Sequence, residues 1–191
     1  MDHSVKEPDY APSGVSFPVS YEGKATTRAN LVLEGGAMRG MFTAGVLDVF
    51  LDRGLLCDSV IGVSAGALMG YNYVAGQAGR GAYVNLKYCT DWRYLSLKSF
   101  ELGEADYHTF TDARADLPYL IASSSMPMVS EIVEVDGKKL LDGGTCDSVP
   151  ITYSKLTGSD KHIVVCTQDA TYRKSANKLM PVLRQRFDDY P

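Results

Sequence analysis

Three absences narrow what this 191-residue chain can be. It has no run near the roughly 18 consecutive apolar residues of a membrane-spanning helix. None of its four cysteines lies in a Cys-x-x-Cys pair, which disfavours both a zinc site and a disulfide framework. A formal net charge of only −4 gives no reason to expect a nucleic-acid partner. These observations favour a globular domain with reduced thiols, and we expect it to be cytoplasmic.

Glycine, in contrast, is concentrated at two places, each between an apolar strand-like run and a helix-like run. The second cluster reads Gly62-Val63-Ser64-Ala65-Gly66. A serine on a tight strand-to-helix turn projects its hydroxyl out of the fold, and flanking glycines relieve the crowding of such a turn. Ser64 is therefore the candidate nucleophile, although Gly-x-Ser-x-Gly alone is only a moderately specific pattern.

The first cluster, Gly35-Gly36-Ala37-Met38-Arg39-Gly40, precedes a predicted helix. The first N–H groups of a helix have no partner inside it, and the helix dipole favours negative charge there. Such amides can stabilise the oxyanion of a tetrahedral intermediate. The two clusters together indicate acyl-transfer chemistry. A dinucleotide-binding fingerprint is disfavoured, because Ala37 stands where that pattern needs glycine and a serine turn ends the next strand.

The apolar spacing predicts alternating strands and helices, and therefore an α/β fold with parallel strands joined by right-handed crossovers. Asp136-Gly137 predicts a two-residue hairpin turn. The predicted strands are Ala29–Glu34, Cys57–Gly62, Val129–Val135, Lys138–Leu141 and His162–Thr167, and the predicted helices are Arg39–Arg53, Ala65–Val74, Gly81–Tyr88, Leu117–Ser123 and Lys174–Phe187.

A serine hydroxyl needs a base within hydrogen-bond reach. Asp142 ends a strand-like run and is followed by Gly143 and Gly144, so a sharp turn can leave its carboxylate at the same sheet edge as Ser64. His162 would complete the chain order of an α/β-hydrolase triad. It opens its predicted strand, however, and would then lie at the opposite edge. A Ser64–Asp142 dyad is favoured, with the Ser64-Asp142-His162 triad as the alternative.

These three motifs, in this order, resemble those of the patatin-like phospholipases. The resemblance extends from about Asn30 to Thr167 and includes Ser124-Ser125-Met126-Pro127 and Val149-Pro150. It implies a three-layer α/β/α fold with a mainly parallel central sheet. It also implies a serine acyl hydrolase that cleaves lipid carboxylic esters through an acyl-enzyme, with Ser64 as nucleophile, Asp142 as base and no metal or other cofactor.

The same resemblance implies an oxyanion hole formed by the amides of Gly35, Gly36, Ala37 and Met38. The family usually has glycine where Ala37 stands, and the alanine is tolerable if its φ is negative. Arg39 is the basic residue usual at its position and would fix the turn or bind an anionic head group. The other supporting motif residues are Gly40, Gly62, Gly66, Gly143 and Gly144.

The expected organisation is an extended arm over residues 1–24, a catalytic domain over 25–170, and over 171–191 a C-terminal helix or the start of a truncated C-terminal portion. The interval from Ser64 to Asp142 is short for the family. We expect that the sequence omits a segment between about 101 and 116 and a portion after 191. A pared-down family member is the alternative.

The expected partner is a lipid or another acyl ester. The cations of the tail alternate with apolar residues, as is typical of a solvated amphipathic helix, and peripheral contact with an anionic membrane surface is the alternative. A non-catalytic acyl- or lipid-binding protein is the functional alternative, and the short interval between Ser64 and Asp142 favours it.

Overall fold

The computed structural model describes residues 25–89, 116–127, 130 and 132–173. The predicted N-terminal arm and the predicted helix Lys174–Phe187 lie outside the described residues. The region between about 101 and 116, where we expect the sequence to omit a segment, also lies outside them, apart from Asp116. Part of the predicted strand Val129–Val135 lies outside them as well.

Five strands and five helices are described. In chain order they are β1 (Thr27–Leu33), α1 (Gly40–Asp52), β2 (Cys57–Gly62), α2 (Ala65–Val74), α3 (Arg80–Tyr88), α4 (Leu117–Ser123), β3 (Val133–Val135), β4 (Lys138–Leu140), α5 (Ile151–Leu156) and β5 (His162–Val165). Strands β2, β1 and β5 form a parallel sheet in that order, and β3 and β4 form a separate antiparallel hairpin.

Helices cover both faces of the parallel sheet, because the central strand β1 presents apolar or satisfied polar side chains in both directions. Leu31 and Leu33 join a core with residues of α1 and α2, among them Leu47 and Met69. On the other face, the side-chain amide of Asn30 donates to the carbonyl and the hydroxyl of Ser154 in α5, at 3.1 and 2.9 Å. The predicted α/β/α layering with a parallel sheet is confirmed.

The sheet brings the ends of three strands to one edge. In the register of the sheet, Leu33 of β1 lies beside Gly62 of β2 and beside Val165 of β5. The chain leaves β1 through α1 toward β2, whereas α5 leads to β5 on the other side of β1. Ligands of open α/β sheets bind at such a reversal, outside the carboxyl ends of the strands.

The helix boundaries follow local signals. A 3₁₀ turn over Ala37–Arg39 precedes α1, and Gly54, with φ of 66°, follows the end of that helix, as is typical of glycine. The hairpin turn is also confirmed, because Asp136 and Gly137 both have positive φ, as a type I′ turn requires. Helix α5 is absent from the sequence-based prediction, although Pro150 directly before it is a helix-start signal.

Among the described residues, no helix is both long enough and apolar enough to cross a membrane. All four cysteines belong to this part of the chain and are free.

Candidate active site

Ser64 occupies a sharp bend between β2 and α2. Its backbone has φ of 53° and ψ of −127°, a region that residues other than glycine rarely adopt. Gly62 and Gly66 make the bend possible. A Cβ atom at Gly66 would lie 2.5 Å from the carbonyl oxygen of Leu33, and one at Gly62 would lie 2.7 Å from the nitrogen of Ala67. Both motif glycines are therefore required by close backbone contact.

Asp142 follows β4 and reaches Ser64 directly. The Ser64 hydroxyl donates to Oδ2 of Asp142 at 2.5 Å. The other carboxylate oxygen, Oδ1, accepts a hydrogen bond from the amide of Gly144 at 2.8 Å, and the Asp142 amide donates to the carbonyl of Ser125 at 2.8 Å. The two hydrogen bonds to the carboxylate fix its orientation, so that one oxygen faces the serine.

The pair is shielded from solvent. Ser64 is 6% exposed and Asp142 is 5% exposed. Charge-assisted hydrogen bonds are shorter and stronger than neutral ones, and a low local dielectric strengthens them further. Gly143 contributes to this burial, since a Cβ atom there would lie 2.6 Å from Val63 Cγ2. The arrangement can transfer a proton from the hydroxyl to the carboxylate without an intervening water.

The first glycine cluster packs against the serine bend. A Cβ atom at Gly35 would lie 3.2 Å from Ser64 Cβ, and one at Gly40 would lie 2.9 Å from Ala65 Cβ. The two glycine-rich turns that are separate in the sequence therefore form one packed unit, with the start of α1 beside the start of α2.

Only three of the four amides expected in the oxyanion hole are free to bind an oxyanion. Gly35 donates its N–H to the carbonyl of Ser148 at 3.0 Å, so it cannot also bind an oxyanion, and including it in the hole was wrong. None of the described residues accepts a hydrogen bond from the amide of Gly36, Ala37 or Met38. Orphan amides are expected at the start of a helical turn, and these three are the candidate donors.

Ala37 also departs from the expectation. Its φ is +47°, in the left-handed region, whereas an alanine is expected at this position only with a negative φ. A residue with a Cβ atom in this region carries strain of about 1 kcal/mol or more. The expectation of a negative φ at Ala37 was therefore wrong. The turn has the backbone conformation that glycine favours, and the alanine adopts it with some strain.

Ser123 is a site residue that the sequence analysis missed. Its hydroxyl accepts a hydrogen bond from the backbone amide of Ser64 at 3.0 Å. Helix α4 and the residues after it thus support both members of the pair, since Ser125 accepts from the amide of Asp142. The Ser124-Ser125-Met126-Pro127 motif pointed to this segment, but a hydroxyl one residue before it carried no signal of its own.

His162 lies away from the pair. It begins β5 beside Asn30, at the opposite end of the strands from Ser64, and its Nδ1 is 2.8 Å from the hydroxyl of Ser154. The alternative triad with His162 is therefore wrong, for the same reason of strand polarity that disfavours it in the sequence.

Two of the four thiols, those of Cys57 and Cys166, have a raised pKa. Burial, and after it the negative charge of Glu34, raises the pKa of Cys166. Burial is also the main cause of the raised pKa of Cys57, with the charge of Asp58 adding to it against a hydrogen bond from Tyr73. A raised pKa keeps a thiol protonated and unreactive at neutral pH. Within the described part of the chain, no group of three or more metal-ligating side chains could hold an ion.

Arg39 lies beside the first turn, where its Nε donates to the hydroxyl of Thr167 at 3.2 Å. A cavity of about 250 Å³ opens next to it, at the carboxyl ends of β1 and β5. The residues lining this cavity are Glu34, Arg39, Ser148, Val149, Gln168 and Tyr172.

Part of the chain matches a protein-family model. The model described as patatin-like phospholipase matches residues 31–118. The matched stretch contains the first glycine-rich turn, the serine bend and helices α1 to α3, and it ends before Asp142.

Among curated proteins, the chain is similar to the uncharacterized protein YjjU of Escherichia coli (strain K12), with 27% identity over 195 aligned positions. The alignment covers 78% of this chain and 55% of YjjU, so the chain spans about half the length of this relative. Because 78% of 191 residues is fewer than 195 positions, the aligned part of YjjU includes residues that have no counterpart here.

Proposed function

Because the chain belongs to the patatin-like phospholipase family, we propose that it is a serine acyl hydrolase that cleaves carboxylic esters of lipids through Ser64 and Asp142. The 2.5 Å hydrogen bond between the Ser64 hydroxyl and the Asp142 carboxylate is the observation that supports this most directly. A nucleophile on a strained bend, joined to a base that other hydrogen bonds hold in place, is the minimal apparatus for acyl transfer.

In the first half-reaction, Ser64 Oγ attacks the ester carbonyl while Asp142 Oδ2 takes its proton. The carbonyl oxygen becomes an oxyanion, which the amides of Gly36, Ala37 and Met38 stabilise. Collapse of the tetrahedral intermediate breaks the bond to the alcohol, and Asp142 returns the proton to that leaving oxygen. The acyl group is then an ester of Ser64.

In the second half-reaction, water takes the place of the alcohol. Asp142 accepts a proton from the water as it attacks the acyl carbonyl, and it returns that proton to Ser64 Oγ as the fatty acid leaves. The same amides stabilise the second oxyanion. One carboxylate thus acts as base and acid in both halves, and the chemistry that we propose uses no metal or organic cofactor.

A fluorophosphonate probe tests this proposal. The wild-type protein is expected to react covalently with the probe at Ser64, because the probe forms a bond only with an activated hydroxyl. Ser64→Ala should give no labelling and should lower ester hydrolysis by at least about 10⁴-fold. Labelling is read by mass spectrometry of the intact protein, and hydrolysis with a chromogenic ester. Ser159→Ala, on the loop before β5, is the control and should behave as wild type.

The competing function is binding of a lipid or acyl group without turnover. It is favoured by the short interval between Ser64 and Asp142, because fewer residues in that interval leave less material for the walls of an acyl pocket. Wild-type protein that binds a fatty acid yet neither reacts with the probe nor hydrolyses esters would support this function against the enzyme.

A further inference from the structure

The first glycine-rich turn needs support from outside itself. Ala37 has φ of +47°, and strained positions persist only where the surrounding structure holds them. The turn is exposed at Ala37, Met38 and Arg39, so the core does not enclose it. Inside the turn, the amide of Arg39 donates to the carbonyl of Gly36 at 2.9 Å. The amide of Gly40 donates to the carbonyls of Ala37 and Met38. None of these bonds involves the free amides of Gly36, Ala37 and Met38, so neighbouring residues must help to fix their direction.

A buried carboxylate lies directly before the turn. Glu34 is 7% exposed and follows the last residue of β1. Its Oε2 accepts a hydrogen bond from the backbone amide of Thr167 and another, at 3.0 Å, from the hydroxyl of Thr167. This carboxylate thereby joins the end of β1 to the segment that follows β5, and it holds the Thr167 side chain in one orientation.

Thr167 connects Glu34 to the first glycine-rich turn through Arg39. Because its hydroxyl hydrogen is donated to Glu34, its oxygen is free to accept from Nε of Arg39, at 3.2 Å. The pair also packs on Gly36, where a Cβ atom would lie 2.8 Å from Arg39 Nη2 and 3.0 Å from the hydroxyl oxygen of Thr167. Gly36 is thus covered by this pair, whereas its neighbour Gly35 faces Ser64.

We infer that Glu34 and Thr167 are positioning residues for the oxyanion hole. They hold Arg39 across Gly36 and so fix the direction of the free amides of Gly36, Ala37 and Met38. This inference rests on the proposed hydrolase function. The side chain of Glu34 accepts from Thr167, and the hydroxyl of Thr167 accepts from Arg39. The Ser64–Asp142 hydrogen bond forms without either residue. Donors of an oxyanion hole act through their placement before the reaction, so a loosened turn lowers kcat more than it weakens ground-state binding.

The test compares three variants of the full chain. Thr167→Val removes the hydroxyl at nearly constant shape, and Thr167→Ser keeps it. Thr171→Val is the matched control, because the Thr171 hydroxyl likewise donates to a carboxylate, that of Asp169, on the same segment. Thr167→Val is expected to lower kcat about tenfold with KM within about twofold, as a misplaced donor costs less than a deleted one. Thr167→Ser and Thr171→Val should stay within about twofold of wild type.

A second readout separates positioning from general stability. The serine oxygen adds to the carbonyl carbon of an alkyl trifluoromethyl ketone, its proton passes to Asp142, and the ketone oxygen becomes an oxyanion at the turn. The inhibition constant of this ketone should therefore rise in Thr167→Val by the same factor by which kcat falls. Glu34→Gln weakens the hydrogen bonds between Glu34 and Thr167. If Thr167→Val does not fold, Glu34→Gln should show the same lower kcat and higher inhibition constant, with KM little changed.

The outcomes separate the proposed function from the positioning role. A wild type that neither hydrolyses esters nor reacts with the fluorophosphonate probe overturns the proposed function, and the positioning role with it. An active wild type with an equally active Thr167→Val overturns the positioning role alone. So does a variant that raises KM at unchanged kcat, because Thr167 would then contact substrate.

Discussion

Replacing Asp142 by asparagine is expected to lower kcat for ester hydrolysis by about 10³- to 10⁴-fold with the fold retained. The asparagine keeps a carbonyl oxygen for the Gly144 amide, and its NH₂ group can donate to the Ser64 hydroxyl where Oδ2 of Asp142 now accepts. It cannot take the serine proton, so the geometry survives and the base is lost. The measurement is kcat with a chromogenic ester beside thermal unfolding.

Asp136→Asn is the matched control for that variant. Asp136 occupies the first position of the hairpin turn with φ of 51°, which asparagine also adopts. Its side chain accepts a hydrogen bond from the Tyr119 hydroxyl, and the side-chain oxygen of an asparagine can accept it as well. The activity and melting temperature of Asp136→Asn should equal those of the wild type. An Asp142→Asn protein with kcat within tenfold of wild type would remove Asp142 from the role of base, whatever its contact with Ser64.

The role of Asp142 as the base also determines whether activity rises or falls with pH. The base must be ionised to take a proton, so wild-type activity is expected to fall as the pH is lowered and the carboxylate is protonated. A rate that rises toward acid pH would contradict a carboxylate base. The comparison needs a parallel unfolding curve at each pH, so that loss of fold is not read as loss of the base.

Local patterns in the sequence predicted the fold and most of the candidate site. The apolar run before Gly35 and the run before Gly62 predicted two strands that pair in the structure. The glycines around Ser64 predicted the bend because close backbone contact leaves no space for a side chain. Strand polarity also placed His162 correctly at the opposite end of the strands from Ser64, since it depends only on where a residue lies in its strand. Asp142 reaches Ser64 as expected, but from a separate hairpin and not from a strand of the parallel sheet.

The errors concern contacts between residues far apart in the chain. The amide of Gly35 donates to the carbonyl of Ser148, and no local sequence pattern predicts that hydrogen bond. The sign of φ at Ala37 is set by how the turn packs, and residue type alone favours the negative value. Ser123 supports Ser64 because α4 packs near α2. Tertiary placement decides all three.

A substitution at the contact between the serine bend and the end of β1 is expected to lower both stability and activity strongly. Gly66→Ala should destabilise the fold by about 3 kcal/mol and abolish activity, because overpacking against backbone cannot be relieved by a side-chain rotation. The added Cβ atom would lie 2.5 Å from the carbonyl oxygen of Leu33 and 2.8 Å from that of Glu34. Helix α2 must then move away from β1, and Ser64 at its start moves with it.

Gly45→Ala supplies the reference for this prediction, since it is the same substitution in the neighbouring helix. Gly45 lies in α1 with no atom within 4 Å of an added Cβ, and alanine there should stabilise the protein by about 0.5–1 kcal/mol. The free energies of unfolding are compared in urea. If Gly66→Ala unfolds at the same urea concentration as wild type, the bend is not packed on β1 as described, and the joint placement of Ser64 and the free amides loses its structural basis.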